Sequence, residues 1–93
     1  MNTAEARRVL KARLAKLRAL SYRELVARVD SVLNEEIARD DERSWQLEFE
    51  VVWDDEPEGN VRVNAMIDDG GLRSFVPLTD SFVKAPSGEF VGE

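Results

Sequence analysis

Four carboxylates crowd one short stretch, Asp54, Asp55, Glu56 and Glu58, and a second acidic pair, Asp68-Asp69, follows farther along. Carboxylate oxygens are the ligands that hard divalent cations take, and paired carboxylates carry out glycoside hydrolysis. The spacing supports neither chemistry. It is not that of a calcium loop, and an extended segment of residues 61 to 68, at about 3.4 Å per residue, would hold the two groups about 27 Å apart. A glycosidase pair sits within roughly 5 to 9.5 Å. The acidic clusters therefore read as turns that keep strand ends hydrated.

The positive charge concentrates in Arg7, Arg8, Lys11, Arg13, Lys16 and Arg18. On a helix turning about 100° per residue, Arg7, Lys11 and Arg18 fall within about 40° of arc, a stripe that could follow phosphates or an acidic partner. No aromatic residue interleaves with it and no recognition helix is evident, so nucleic acid is disfavoured. A solvated face, or one paired with acids of the same chain, is the simpler expectation.

Cysteine and histidine are both absent. That removes disulfides, thiolate nucleophiles, Ser-His and Cys-His catalysis, and the usual zinc and haem ligands. Ser21, Ser44, Ser74, Ser81 and Ser87 have no histidine to activate them, and Gly59 and Gly70-Gly71 lack the spacing of a phosphate-cradling loop. The expectation is a protein that is not an enzyme, with no metal and no cofactor.

The elements that hold these residues follow from hydrophobic period, which changes near residue 44. Ala6, Leu10, Leu14 and Leu17 recur at helical intervals, with Thr3 as a plausible N-cap, and predict an amphipathic helix over 4–19. At Leu20-Ser21-Tyr22-Arg23-Glu24-Leu25, Ser21 and Glu24 have capping-box spacing and Leu20 and Leu25 that of a hydrophobic staple, so a second helix should start at Tyr22. Tyr22, Leu25, Val26, Val29, Val32, Leu33 and Ile37 share one arc of a helical wheel, which extends that helix to about residue 39, before the charged linker Asp40-Asp41-Glu42-Arg43.

Trp45, Leu47, Phe49, Val51 and Trp53 then alternate with Gln46, Glu48, Glu50 and Val52, the period of a half-buried strand. The Pro57-Glu58-Gly59-Asn60 region reads as a turn, and a second strand should run from Val61 to Asp68. Asp69-Gly70 favours a tight hairpin whose register sets Ile67 opposite Leu72, Ala65 opposite Ser74, Val63 opposite Val76 and Val61 opposite Leu78. The same register sets Met66 against Arg73 and Asn64 against Phe75 on the other face. Pro77 discourages a long third strand, Ser81–Ala85 could be a fourth, and Phe82 and Phe90 suggest a docked tail after the Pro86-Ser87-Gly88 turn.

The resulting expectation is one α+β domain: two N-terminal amphipathic helices on one face of a three- to four-stranded antiparallel meander. Its helical part covers about 3–39, its sheet about 44–85 and its tail 86–93. The expected core comprises Leu25, Val29, Leu33, Ile37, Trp45, Leu47, Phe49, Val51, Val63, Ile67 and Val76. Residues 1–40 hold nine basic and six acidic side chains, a balance of +3, whereas residues 41–93 hold four and thirteen, a balance of −9. No apolar run approaches the roughly 20 residues of a membrane span, and the N-terminal stretch is charged, so a cytoplasmic setting is expected.

Small size, missing catalytic side chains and charge asymmetry favour a non-enzymatic protein-interaction module whose partner is a second copy or another protein. The candidate surface comprises Met66, Arg73 and Phe75 on the second sheet face and Arg7, Lys11 and Arg18 on the first helix. The alternatives are a small-ligand or enzymatic domain with a pocket near Tyr22, Trp45 or Trp53, and nucleic-acid binding through the first helix.

Overall fold

The computed structural model describes residues 3–38, 44–68 and 78–93. Helix α1 spans Thr3–Arg18 and α2 spans Tyr22–Val26; strands β1 (Ser31–Ala38), β2 (Ser44–Trp53), β3 (Val61–Asp68) and β4 (Leu78–Lys84) follow. The strands form one antiparallel sheet in the order β1-β2-β3-β4. The α+β class holds, and among the described residues the sheet has four strands.

Helix α1 forms as its apolar spacing predicts: Ala6, Leu10 and Leu14 are buried on one face, while Arg7, Arg8 and Lys11 stay exposed. That face lies on β3 and β4. Its apolar side chains close over Leu47, Phe49 and Val51 of β2, Val61, Val63, Ala65 and Ile67 of β3, and Phe82 of β4 in one core. Helix and sheet each bury the apolar side that the other leaves uncovered.

The corner at Ser21 is a complete capping box. The Ser21 Oγ accepts from the Glu24 N–H and the Glu24 carboxylate accepts from the Ser21 N–H, both at 3.1 Å. These bonds satisfy donors that the first turn of a helix leaves open.

The second helix is much shorter than its wheel predicts. It ends at Val26, a turn follows, and Ser31–Ala38 is a strand and not a helix. After that turn Asp30 takes a positive φ of 70°, a left-handed conformation that its residue type tolerates and that leads the chain into β1. The helical part thus ends well before residue 39, and a single long helix covers the sheet. Val29 and Ile37 are partly buried against the core, but Leu33 is exposed. Leu33 was placed in the core by a helical period that the backbone does not follow.

The third pairing also differs. Strand β3 pairs with 78–84, setting Ile67 opposite Leu78, Ala65 opposite Asp80, Val63 opposite Phe82 and Val61 opposite Lys84. The register built on residues 72–78 is therefore displaced by six residues, and Met66 and Asn64 face Thr79 and Ser81. The observed pairing seats Phe82 in the core, 3% exposed, and gives both charged inward residues of β4 partners on α1. Asp80 lies 3.8 Å from Lys11, and Lys84 donates to the Leu20 and Arg18 carbonyl oxygens. The Asp69-Gly70 turn, Arg73, Phe75 and Val76 lie outside the described residues.

Candidate interaction surface

Strand β1 is the open edge of the sheet. Among the described residues it pairs only with β2, through Ser31 to Val51, Leu33 to Phe49, Glu35 to Leu47 and Ile37 to Trp45. Its helix-side row is Ser31, Leu33, Glu35 and Ile37, and its outer row begins with Val32, Asn34 and Glu36. Helix α1 lies chiefly over β3 and β4 and leaves the Val32–Leu33 part of this margin exposed. Val32 and Leu33 are consequently 54% and 61% exposed, the most exposed large apolar side chains among the described residues. Beside them a cleft of about 180 Å³ runs between Leu17, Arg28, Leu33, Phe49 and Val51.

The opposite edge is occluded at the Val83–Lys84 end of β4. After the turn at residues 86–88 the tail folds back on β4: the Val91 N–H donates to the Val83 carbonyl at 2.8 Å and the Ala85 N–H to the Glu89 carbonyl at 2.8 Å. A bridge joins Lys84 to Phe90. Phe90 stacks edge-to-face on Phe82 with centroids 5.7 Å apart, and the Arg18 guanidinium lies 3.9 Å from the Phe90 centroid. Arg18 also grips both Glu93 carboxylate oxygens, at 2.8 and 2.6 Å. The hydrogen bonds from Arg18 are the largest cause holding the Glu93 carboxyl below its ordinary range, and the same bond raises Arg18. The tail is thus fastened by backbone pairing, aromatic contact and a bidentate ion pair.

Of the expected surface residues, Arg7 is exposed on α1, whereas Lys11 faces Asp80 and Arg18 faces Glu93. Lys11, Arg18, Asp80 and Glu93 border one hollow of about 310 Å³. Arg13 adds a contact to Glu35 of β1 at 3.5 Å. Lys11 and Arg18 of the basic stripe thus each meet an acid of the same fold, while Arg7 stays exposed. Met66 lines a shallow depression of about 540 Å³ on the outer face with Glu48, Glu50, Asn64, Thr79 and Ser81. Asn64 donates to Glu50 there at 3.1 Å. Arg73 and Phe75, expected beside Met66, are replaced in the register by Thr79 and Ser81.

The aromatic side chains divide. Trp45 is 2% exposed and lies in the core. Tyr22 and Trp53 border an open hollow of about 370 Å³ with Arg23, Val26 and Glu58, and the Tyr22 hydroxyl donates to the Gly59 carbonyl at 2.7 Å. Among the described residues no group of three or more acidic side chains is arranged to hold a metal ion. No helix there is long and apolar enough to cross a membrane.

The β1 edge escaped the sequence reading because Val32 and Leu33 are adjacent, as are Glu35 and Glu36, so the segment lacks two-residue alternation. Asp30-Ser31, a turn-forming pair midway through the wheel, was the signal available. Fold and surface together define a small α+β domain with a helical layer on one side of its sheet and a β1 edge that no other strand pairs with among the described residues. Compared with protein-family models, curated proteins and solved structures, the chain matches none of them.

Proposed function

We propose that this chain is a non-enzymatic protein-interaction module that binds through the open edge of β1. The observation that supports this reading is the pairing of an unpartnered strand edge with two exposed apolar side chains, Val32 and Leu33, one on each sheet face. Sheet edges are commonly shortened, charged or covered, because an uncovered edge templates pairing with another strand. Here the tail covers the Val83–Lys84 end of β4, whereas among the described residues no strand pairs with the outer side of β1. An incoming extended segment would take its backbone hydrogen bonds from the edge and its specificity from side chains reaching Leu33 and the Leu17–Phe49 cleft.

The test is selection of extended peptides from a random display library against the folded protein, followed by amide shift mapping. Perturbations centred on 31–37 that vanish in Leu33→Lys support the reading. Peptides that map to the Glu48–Met66 face, or that bind Leu33→Lys equally well, sink it. A small-ligand reading keeps one supporting observation, the hollow beside Tyr22 and Trp53; quenching of tryptophan fluorescence by a screened ligand, lost in Trp53→Leu, would favour it instead.

A further inference from the structure

We infer that residues 85–93 form a strap that opens and closes as one unit, hinged just after Lys84 and clasped by the Arg18 side chain. This concerns the β4 edge of the sheet and is independent of the reading of β1.

The hinge follows from what lies on either side of it. Lys84 is held from within the fold: it is 8% exposed, and its ammonium donates to the Leu20 and Arg18 carbonyl oxygens. From Ala85 to Glu93, by contrast, no residue is buried, and Val91 is 43% exposed. Between them the turn at Pro86-Ser87-Gly88 takes a positive φ of 93° at Gly88, whose N–H donates to the Ala85 carbonyl at 2.8 Å. A segment with little buried area and solvent-facing backbone hydrogen bonds opens at a lower free energy than the fold beneath it. Lys84 stays anchored to the end of α1 when the strap lifts, so the opening stops there.

The clasp is one guanidinium. Arg18, in the last turn of α1, grips both Glu93 carboxylate oxygens, and it lies 3.9 Å from the Phe90 centroid and 5.4 Å from that of Phe82. Helix, strand and strap thus converge on a single side chain. Its planar fork pairs with the carboxylate while its face lies on a ring, a combination that a lysine ammonium does not reproduce. Lifting the strap bares the edge of Phe82, otherwise 3% exposed, and releases the Val83 carbonyl and the Ala85 N–H from Val91 and Glu89. The strap is therefore a releasable cap on one end of β4, where an open edge would template pairing with another strand.

The experiment is amide hydrogen exchange of the full chain at low urea concentrations, on the wild type, Arg18→Gln and Arg18→Lys. The Arg18 side chain is 33% exposed, so both variants are expected to fold, which unchanged β2 and β3 amide shifts verify. In the wild type the Ala85 and Val91 amides are expected to share one opening free energy that is insensitive to urea, while the slowest β2 and β3 amides follow the urea dependence of global unfolding. Arg18→Gln should speed Ala85 and Val91 about tenfold, the combined worth of an exposed ion pair and an exposed cation–π contact, and Arg18→Lys should speed them nearly as much. If Ala85 and Val91 fall on the urea-dependent line of the β3 amides, the strap opens only with the whole fold and the inference is overturned. A Val91 amide much faster than that of Ala85 would mean piecemeal peeling from Glu93 and overturns the single unit. Rates unchanged in Arg18→Gln, or a lysine variant that matches the wild type, overturn the clasp.

Discussion

The Lys84 amino group lies 2.7 Å from the Leu20 carbonyl oxygen, and it reaches that of Arg18 at 3.3 Å. A strand lysine therefore closes the C-terminal end of α1, where the last carbonyl groups of a helix lack partners within it. Cations also suit that end of the helix dipole. Lys84 is only 8% exposed, and its ammonium also lies 4.9 Å from the Phe90 ring centroid. Lys84→Met is expected to cost roughly 1 to 3 kcal/mol, the range for stranding buried acceptors, read as a lower urea midpoint at unchanged slope. A variant as stable as the wild type would show that these bonds contribute nothing.

The Glu93 carboxyl is held below its ordinary value of 4.5 by hydrogen bonds from Arg18, and that of Glu24 by those from Ser21. A carboxyl whose value is depressed on folding stabilises the fold above its unfolded value and loses that contribution as pH falls through the folded one. Stability should therefore decline as pH drops below about 4.5. Glu93→Gln should lower the thermal midpoint at pH 7 and leave it unchanged at pH 2, where wild type and variant both carry a neutral group. Equal differences at the two pH values would place the effect in packing and not in charge.

Leucines of α1 and β1 should respond oppositely to truncation. Leu10 is 1% exposed and Leu33 61% exposed, so Leu10→Ala should cost about 2 to 5 kcal/mol whereas Leu33→Ala should stay within about 0.5 kcal/mol in dilute solution. Denaturant titration at low protein concentration separates the two, and comparable losses would mean that β1 is covered.

Tyr22 joins α2 to the loop between β2 and β3 through its hydroxyl, which donates to Gly59. Tyr22→Phe keeps the ring and removes that bond, so a loss of about 1 kcal/mol is expected. Faster amide exchange at Asp54, whose N–H donates to the Asn60 carbonyl, should accompany it. Unchanged exchange there would show that the loop is held without Tyr22.

Much of this architecture was legible wherever one residue spacing dominated. The α1 face, the Ser21–Glu24 cap and the start of α2 at Tyr22 follow from local rules, and β2 from Trp45 to Trp53 shows unbroken alternation. The β1 edge was not legible, because the strand carries apolar residues on both faces and its pattern fits a wheel as well as a ladder. The β3–β4 register was missed for another reason: Asp80 and Lys84 are charged yet point toward the helix layer. Sequence period alone cannot anticipate that Lys11 and the end of α1 supply their partners.

Helix α1 is the earliest element of the chain, yet the strands it covers are β3 and β4, the last two. During synthesis the Ala6–Leu10–Leu14 stripe thus emerges well before its permanent cover and must wait for most of the remaining chain. Contacts between such distant segments carry a high cost of loop closure and slow the search for the native state. The β1–β2 and β2–β3 hairpins can form in that interval, leaving helix docking and closure of the tail as the final steps. Until residues 78–84 join as β4, α1 keeps its contacts with β3 but lacks those with β4, and Phe82 is missing from the core.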